Sequence, residues 1–332
     1  MSMVSRPARI AEVVLSILLS GTALWSCYRP QVIAGPKPPD VREGLLRGTF
    51  PKIAGLRLHV FNTGENKVSW LLVGSPAPWR PVPAFVIEHP NHGLIVFDCG
   101  LGPEIAEKGE RALHPITRLL FKTRSRPGLD LASQMRKAGL DPAGVKTVIF
   151  SHLHFDHVGS ANAFTHASFV VGRGEREHAT SRMNGFEPSH TDWIPAGAWH
   201  EIDFREAKSY ATFDHAVDLF GDHSVILVAG GGHTHGGMGA LLMLPHGPAL
   251  LTGDLVVHFD WLASDDVQRI VVDGERAAAV RNRIRMLMKL APDLAVFPGH
   301  DLSRVPVDRD DVVLHRGTDD ADLFAATSWP IQ

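Results

Sequence analysis

The stretch FSHLHFDHVGS, Phe150 to Ser160, puts three histidines and one aspartate within six residues, directly after the apolar run Val148, Ile149 and Phe150. An apolar run followed by Val158 and Gly159 places His152, His154, Asp156 and His157 in a loop at the C-terminal end of a strand. Alternate positions send His152 and His154 to one side, while Asp156 and His157 turn towards a neighbouring point. One short segment can therefore serve two metal ions. Imidazole nitrogen with carboxylate oxygen suits zinc, and also iron, manganese or cobalt.

Four ligands do not complete two sites, and three later strand ends supply more. VAGGGHTHGG brings His233 after the run that begins at Val225; ALLTGDL brings Asp254 after the run from Ala249; AVFPGHD brings His300 after the run from Leu294. In each, a glycine stands immediately before the candidate ligand, where a sharp turn or a close backbone approach is needed.

The rest of the chain supplies the frame for this loop. Short apolar or alternating runs bounded by Gly, Pro or Asn predict strands at Leu56 to Phe61, Val68 to Val73, Ala84 to Glu88, Leu94 to Phe97 and Thr147 to Phe150. A second set follows at Ser168 to Val171, Val225 to Ala229, Ala240 to Leu244, Ala249 to Leu251 and Leu294 to Phe297. A helix is predicted over Leu131 to Ala138 with Gly139 as its stop, and another over Glu275 to Leu290. In the latter, Val280, Ile284, Leu287, Met288 and Ala291 form one apolar stripe. Two similar halves of strands with outer helices predict two sheets packed face to face and flanked by helices. Residues 102–127 and 174–198 lack strand patterns and are expected to rim a site as loops or short helices.

Composition bounds the function. The 332 residues are 44% hydrophobic and 21% charged, ordinary values for a globular protein with a large core. A net charge of -3 and no basic stripe argue against a nucleic-acid partner. The first residues differ: Arg6 and Arg9 precede the apolar run Val13 to Trp25, then Ser26 and Cys27. That pattern describes an export signal. Leu24 to Cys27 is similar to a bacterial lipoprotein cleavage site, which would make Cys27 a lipid anchor and leave Cys99 without a disulfide partner. An uncleaved membrane anchor is the alternative. The expected organisation is a signal at 1–27, a Pro/Gly-rich spacer at 28–55 that includes AGPKPPD, and a catalytic domain at 56–332. The expected location is the periplasm or a membrane surface.

Taken in order, these motifs resemble the metallo-β-lactamase superfamily: HxHxDH at His152 to His157, GHT at His233, GD at Asp254 and GH at His300. VFDCG, Val96 to Gly100, matches an earlier family motif whose aspartate, here Asp98, supports the metal loop from behind. The resemblance covers about residues 56 to 301. It implies an α/β fold, the αββα four-layer sandwich of two mixed β-sheets flanked by helices. It also implies two divalent ions, zinc first, one held by His152, His154 and His233, the other by Asp156, His157 and His300, with Asp254 as a bridge. A water shared by the ions would become the attacking hydroxide, with Asp156 orienting it or moving its proton.

Fold alone does not choose the substrate. A bridging Asp254 and the stretch PVPAFVIEHPNHGLIVFDCGLGPEI, Pro81 to Ile105, look most like the N-acyl homoserine lactonase branch. Those lactonases often carry a tyrosine shortly after the bridging aspartate; here Val256, Val257 and His258 stand there, and the only tyrosines are Tyr28 and Tyr210. The expected substrate is a small lactone or related ester. A β-lactam or phosphodiester hydrolase of the same fold, or a non-catalytic metal-binding surface lipoprotein, are the alternatives. His235 sits where the family usually has proline and is expected in the loop. His89, His92, His190 and His258 are expected at the surface or in hydrogen bonds, and Trp79, Trp193, Trp199 and Trp261 in packing.

Overall fold

The structure, a computed structural model, describes residues 50–69, 77–180, 182–265 and 270–315. The expected signal, most of the spacer and residues 70–73 of the expected Val68 to Val73 strand lie outside the described residues. The first half contains β1 (Arg57–Val68), β2 (Arg80–His89), β3 (Gly93–Phe97), α1 (Pro103–Lys108), α2 (Pro115–Leu120), β4 (Phe121–Arg124), α3 (Leu131–Lys137), β5 (Val145–Ile149), α4 (Phe155–Val158), β6 (Ser168–Gly172), α5 (Glu175–His178) and β7 (Trp199–Ile202). The second contains β8 (Lys208–Tyr210), β9 (Phe213–Asp218), β10 (Val225–Ala229), β11 (Met238–Leu242), β12 (Ala249–Gly253), α6 (Asp260–Ala263), α7 (Gly274–Leu290), β13 (Ala295–Pro298) and β14 (Val312–Leu314).

Two mixed sheets result. One has the order β14-β1-β2-β3-β5-β6-β7, with β4 paired to β1; the other has the order β13-β12-β11-β10-β9-β8. Strand periodicity explains why they stack. In β2, Phe85 and Ile87 enter the core between the sheets, while Ala84 and Val86 join Leu131 and Met135 of α3 on the outer side. In β10, Val225 and Leu227 meet that inner core, while Ile226 and Val228 pack under Val280, Ile284 and Leu287 of α7. Both faces of both sheets are covered, which gives the four layers expected. The stripe read from α7 is the face it buries, and Asp273 caps the helix by accepting from the Arg276 amide at 3.0 Å.

Three local expectations change. The residues Asn62, Thr63 and Gly64 read as the end of a strand, yet β1 continues to Val68 through a bulge between Asn62 and Glu65. Asn62 Oδ1 there accepts from the amides of Val82 (3.1 Å) and Gly64 (3.3 Å), so a turn-like side chain is used to satisfy a bulge. Val68 is therefore the end of β1 and not the start of a new strand. Second, residues 102–127 hold a strand as well as helices: β4 pairs antiparallel with Glu65 to Val68. Third, residues before 56 already touch the core, with Phe50 and Ile53 packed on it and the Ile53 amide donating to Met243 O at 3.0 Å.

Candidate metal centre

β5, β10, β12 and β13 end on one side of the sandwich, and the seven expected ligands converge there. All seven are buried. α4 is a single turn that begins right after His154, so Asp156 and His157 leave the chain in a different direction from His152 and His154. Two glycines show what the turns require. Gly253 has φ +48, and a Cβ there would sit 2.3 Å from Ser151 Cβ; a Cβ on Gly299 would sit 2.0 Å from Asp254 Oδ1.

The donor atoms fall into two groups, His152, His154, His233 and Asp254 in one, and Asp156, His157 and His300 in the other; within each, the atoms lie within 4.8 Å of one another. His152 Nε2 and His233 Nε2 face His154 Nδ1 at 2.8 and 3.2 Å. Asp254 Oδ2 is 3.3 Å from His233 Nε2, while its Oδ1 is 3.5 Å from His157 Nε2 and 3.4 Å from His300 Nε2. Asp156 Oδ2 is 3.5 Å from His300 Nε2. Donors about 2.0–2.1 Å from a tetrahedral ion stand roughly 3.3 Å apart, so these spacings fit a cation in each group. One proton on His154 Nδ1 serves only one of the two nitrogens facing it; a cation satisfies all three. His157 Nε2 is buried without a hydrogen-bond partner, which also fits a ligand position.

Ring orientation is set from behind. Asp98, in a left-handed backbone conformation at φ 56, accepts from the Ser151 amide (2.7 Å), the Ser151 hydroxyl (2.7 Å) and His157 Nδ1 (2.8 Å). His157 Nε2 is thereby turned to the centre. His300 Nδ1 donates to Pro81 O at 2.9 Å, with the same result for its Nε2. His152 Nδ1 donates to Ser151 Oγ at 3.0 Å. The side-chain Nδ2 of Asn66 donates to Asp156 Oδ2.

The electrostatics differ between the two groups. Burial, reinforced by neighbouring histidines, holds His152 and His154 well below the usual imidazole range, so both are neutral. Burial also pushes His157 down, but Asp98, Asp254 and Asp156 outweigh it and lift it to about 10. For Asp254, burial favours the neutral acid, yet His300, His157 and His233 hold it well below the carboxylate range.

Several residues at the centre carry no motif. Glu175 of α5, fully buried, accepts from the Leu153 amide (Oε1, 3.1 Å) and the Gly236 amide (Oε2, 2.8 Å), tying the two histidine loops together. Its pKa is raised by burial. Asn66 and the Pro81 carbonyl come from β1 and β2. His258, half-buried, is pushed down to about 3 by burial and by Arg80, so it is neutral beside His300 and Asp254. As expected it is not in either donor group, although it is not a fully exposed residue.

The other expected non-ligand histidines are outside the two donor groups. His235 is exposed, its ring 3.7 Å from that of His178. His190 lies 3.6 Å from Glu104. His89 and His92 gather at Asp222, with nitrogens 3.5 and 3.3 Å from Oδ2. Because the Asn91 and His92 amides donate to His89 Nδ1, its proton sits on Nε2, which faces the Asp222 carboxylate without a hydrogen bond and, so protonated, is not free to ligate. Trp193 and Trp199 pack on Phe169, and Trp79 lies under Lys67 and Arg124. Cys99 is buried and free, and burial pushes its thiol pKa up.

Comparison with known proteins agrees with the geometry. The profile of the metallo-beta-lactamase superfamily matches residues 77–300. N-acyl homoserine lactonase AttM of Rhizobium radiobacter is 32% identical over 267 residues, covering 74% of this chain and 93% of that protein. Among solved structures, an N-acyl homoserine lactone hydrolase with the product N-hexanoyl-L-homoserine at its catalytic metal centre aligns with TM-score 0.62 and 19% identity, over 74% of this chain and 93% of the other. AidC, a dizinc quorum-quenching lactonase, aligns with TM-score 0.52 and 17% identity over 75% and 89%. At such identities the structural likeness is one of fold. The matched profile and the long alignment with AttM show that this chain belongs to the metallo-beta-lactamase superfamily and is a hydrolase.

Proposed function

We propose that this protein is a dinuclear metal-dependent hydrolase that opens a lactone or related ester. In this reading His152, His154 and His233 hold one ion, Asp156, His157 and His300 the other, and Asp254 is shared. The observation that carries it is the Asp254 carboxylate, whose Oδ2 faces His233 while Oδ1 faces His157 and His300. Two oxygens directed at two separate ligand groups suit a bridge. Zinc is the proposed metal, since imidazole and carboxylate donors at these spacings match its preferences; iron, manganese or cobalt would use the same set. When bound, such ions polarise a carbonyl and acidify a water to near neutrality.

The chain's own residues hold, orient and move a proton. Asp98, Pro81 and Ser151 fix the imidazole rings, so the ligand nitrogens need no rearrangement. Asp156 has Oδ2 engaged by Asn66, leaving Oδ1 to take a proton from water and return it to the alkoxide oxygen of the opened ring. Val257, buried, and neutral His258 stand where the lactonase branch places tyrosine, so the substrate meets an apolar wall and an uncharged imidazole. Support for a lactone comes from the AttM relative, aligned over nearly its whole length.

The test is a metal count on purified protein followed by assays with N-acyl homoserine lactones, esters and nitrocefin. Two ions per chain and lactone opening that Asp254→Ala abolishes are expected. Nitrocefin hydrolysis without lactone opening would sink the substrate assignment. The same reading has an export signal at 1–27, a lipid on Cys27, a spacer that runs from 28 up to the core-packed Phe50, and a catalytic domain from there onward. Fractionation of cells carrying the parent chain and Cys27→Ala checks it, the variant being expected to lose its lipid mass and its membrane attachment.

A further inference from the structure

α2 is apolar on the side it turns to water. Thr117 and Leu120 are buried beneath it, but Ile116 and Leu119, one turn apart on the outer side, are 39% and 56% exposed. They are two of the four exposed large hydrophobic side chains among the described residues. The helix is firmly held: the His114 amide (2.9 Å) and Thr117 hydroxyl (2.5 Å) both donate to the buried Glu187. Among the described residues, its outer face is thus a fixed surface without a packing partner.

Charge surrounds this apolar patch. Lys108, Arg111, Arg118 and Lys122 line a shallow depression with Pro115 and Leu119, and the one acidic residue lining it, Glu110, is 3.0 Å from Lys122 Nζ. Four cations against one anion leave the lining of this depression at +3, while Glu104 and Glu107 of α1 lie outside that lining, in a chain whose net charge is -3.

We propose that the α1–α2 face docks on an anionic phospholipid bilayer. Leu119 and Ile116 would enter the boundary between headgroups and acyl chains, while the Lys and Arg stems lie along it with their charges at the lipid phosphates. A polyanion without an apolar phase would leave both side chains in water. A two-fold dimer through this face would bring the same +3 surface against itself, an unfavourable pairing. The lipid proposed on Cys27 would be one membrane signal, and stable attachment generally requires two. Docking would place a membrane beside the metal centre's rim: Glu187 follows Phe186, which bridges to His154, and Phe121 after α2 lies 5.7 Å from Phe155. The proposal does not rest on the hydrolase reading.

The full chain is tested with vesicles of phosphatidylglycerol and phosphatidylcholine against phosphatidylcholine alone, by co-sedimentation and hydrogen exchange. The N-terminal run is constant throughout, so differences between variants report the patch. Slowed exchange over residues 103–126 is expected with the anionic vesicles only. Each basic side chain at such a surface contributes roughly fivefold in partitioning, so Arg111→Gln with Arg118→Gln is expected to weaken it by at least about tenfold. Leu119→Ser is expected to weaken it as well, and added salt to weaken the parent more than the double variant. Unchanged partitioning of both variants, or protection confined to other segments, would overturn the proposal. So would protection of 103–126 that grows with protein concentration in the absence of vesicles, together with a dimer in sedimentation.

Discussion

Replacing Glu175 by alanine removes one carboxylate that holds two ligand loops at once. Its Oε1 accepts from Leu153, between His152 and His154, and its Oε2 from Gly236, three residues beyond His233. Each buried amide left without an acceptor costs about 1–3 kcal/mol, so two cost about 2–6 kcal/mol. The charge itself is unfavourable in this fully buried place, as its raised pKa shows, and losing it returns part of that cost. The expected net destabilisation is about 2–4 kcal/mol, measured by urea unfolding of chelated protein so that ion release does not contribute. Glu175→Gln keeps one acceptor oxygen and is expected to lose roughly half as much. Because the two loops carry His152, His154 and His233, the alanine variant is also expected to bind zinc about 10–100-fold more weakly in a competition titration. A destabilisation under about 0.5 kcal/mol, the range of ordinary surface substitutions, together with unchanged zinc affinity, would refute the idea that Glu175 joins the loops.

Asp98→Asn keeps the shape but weakens the acceptor behind His157 Nδ1, and zinc affinity is expected to fall about 10–100-fold by chelator competition. Gly299→Ala would drive a methyl into Asp254 Oδ1, so bound metal is expected to drop below two ions per chain, counted by elemental analysis. At the sheet edge, His315 is pushed down to about 4 by burial and by His59, whose ring nitrogen is 2.9 Å away and whose own pKa is lowered by burial. A depressed folded pKa means that the contact is intact above the ordinary imidazole value near 6.5 and is lost as pH falls through about 4. Hydrogen exchange in β14 is expected to quicken over that window, and His315→Phe to flatten the dependence while keeping the stack on Phe61.

What could be read from the residues alone was whatever depends on neighbours in the chain. Alternation in β2 and β10 and the stripe of α7 report burial directly, because the side-chain period of a strand or helix is a local property. The metal loop was readable for the same reason: His152, His154, Asp156 and His157 lie in one segment, and His233, Asp254 and His300 each follow a glycine at a strand end. Short edge strands were not. β8, with Lys208 and Ser209 exposed, has no apolar pattern of its own, and β14, the apolar run Val312 to Leu314, is only three residues long; both exist because a partner strand supplies hydrogen bonds. β1 passed through a turn-like sequence because Val82, some 20 residues on, offered an amide for Asn62. Glu175, Asn66, the Pro81 carbonyl and the outer face of α2 belong to the same class. Each owes its role to groups brought near by folding across long stretches of chain, and a buried carboxylate in sequence looks like any other glutamate. Local pattern determined the central strands and the candidate ligands; only tertiary contact decided which side chains aim them and which surface of the described residues was left uncovered.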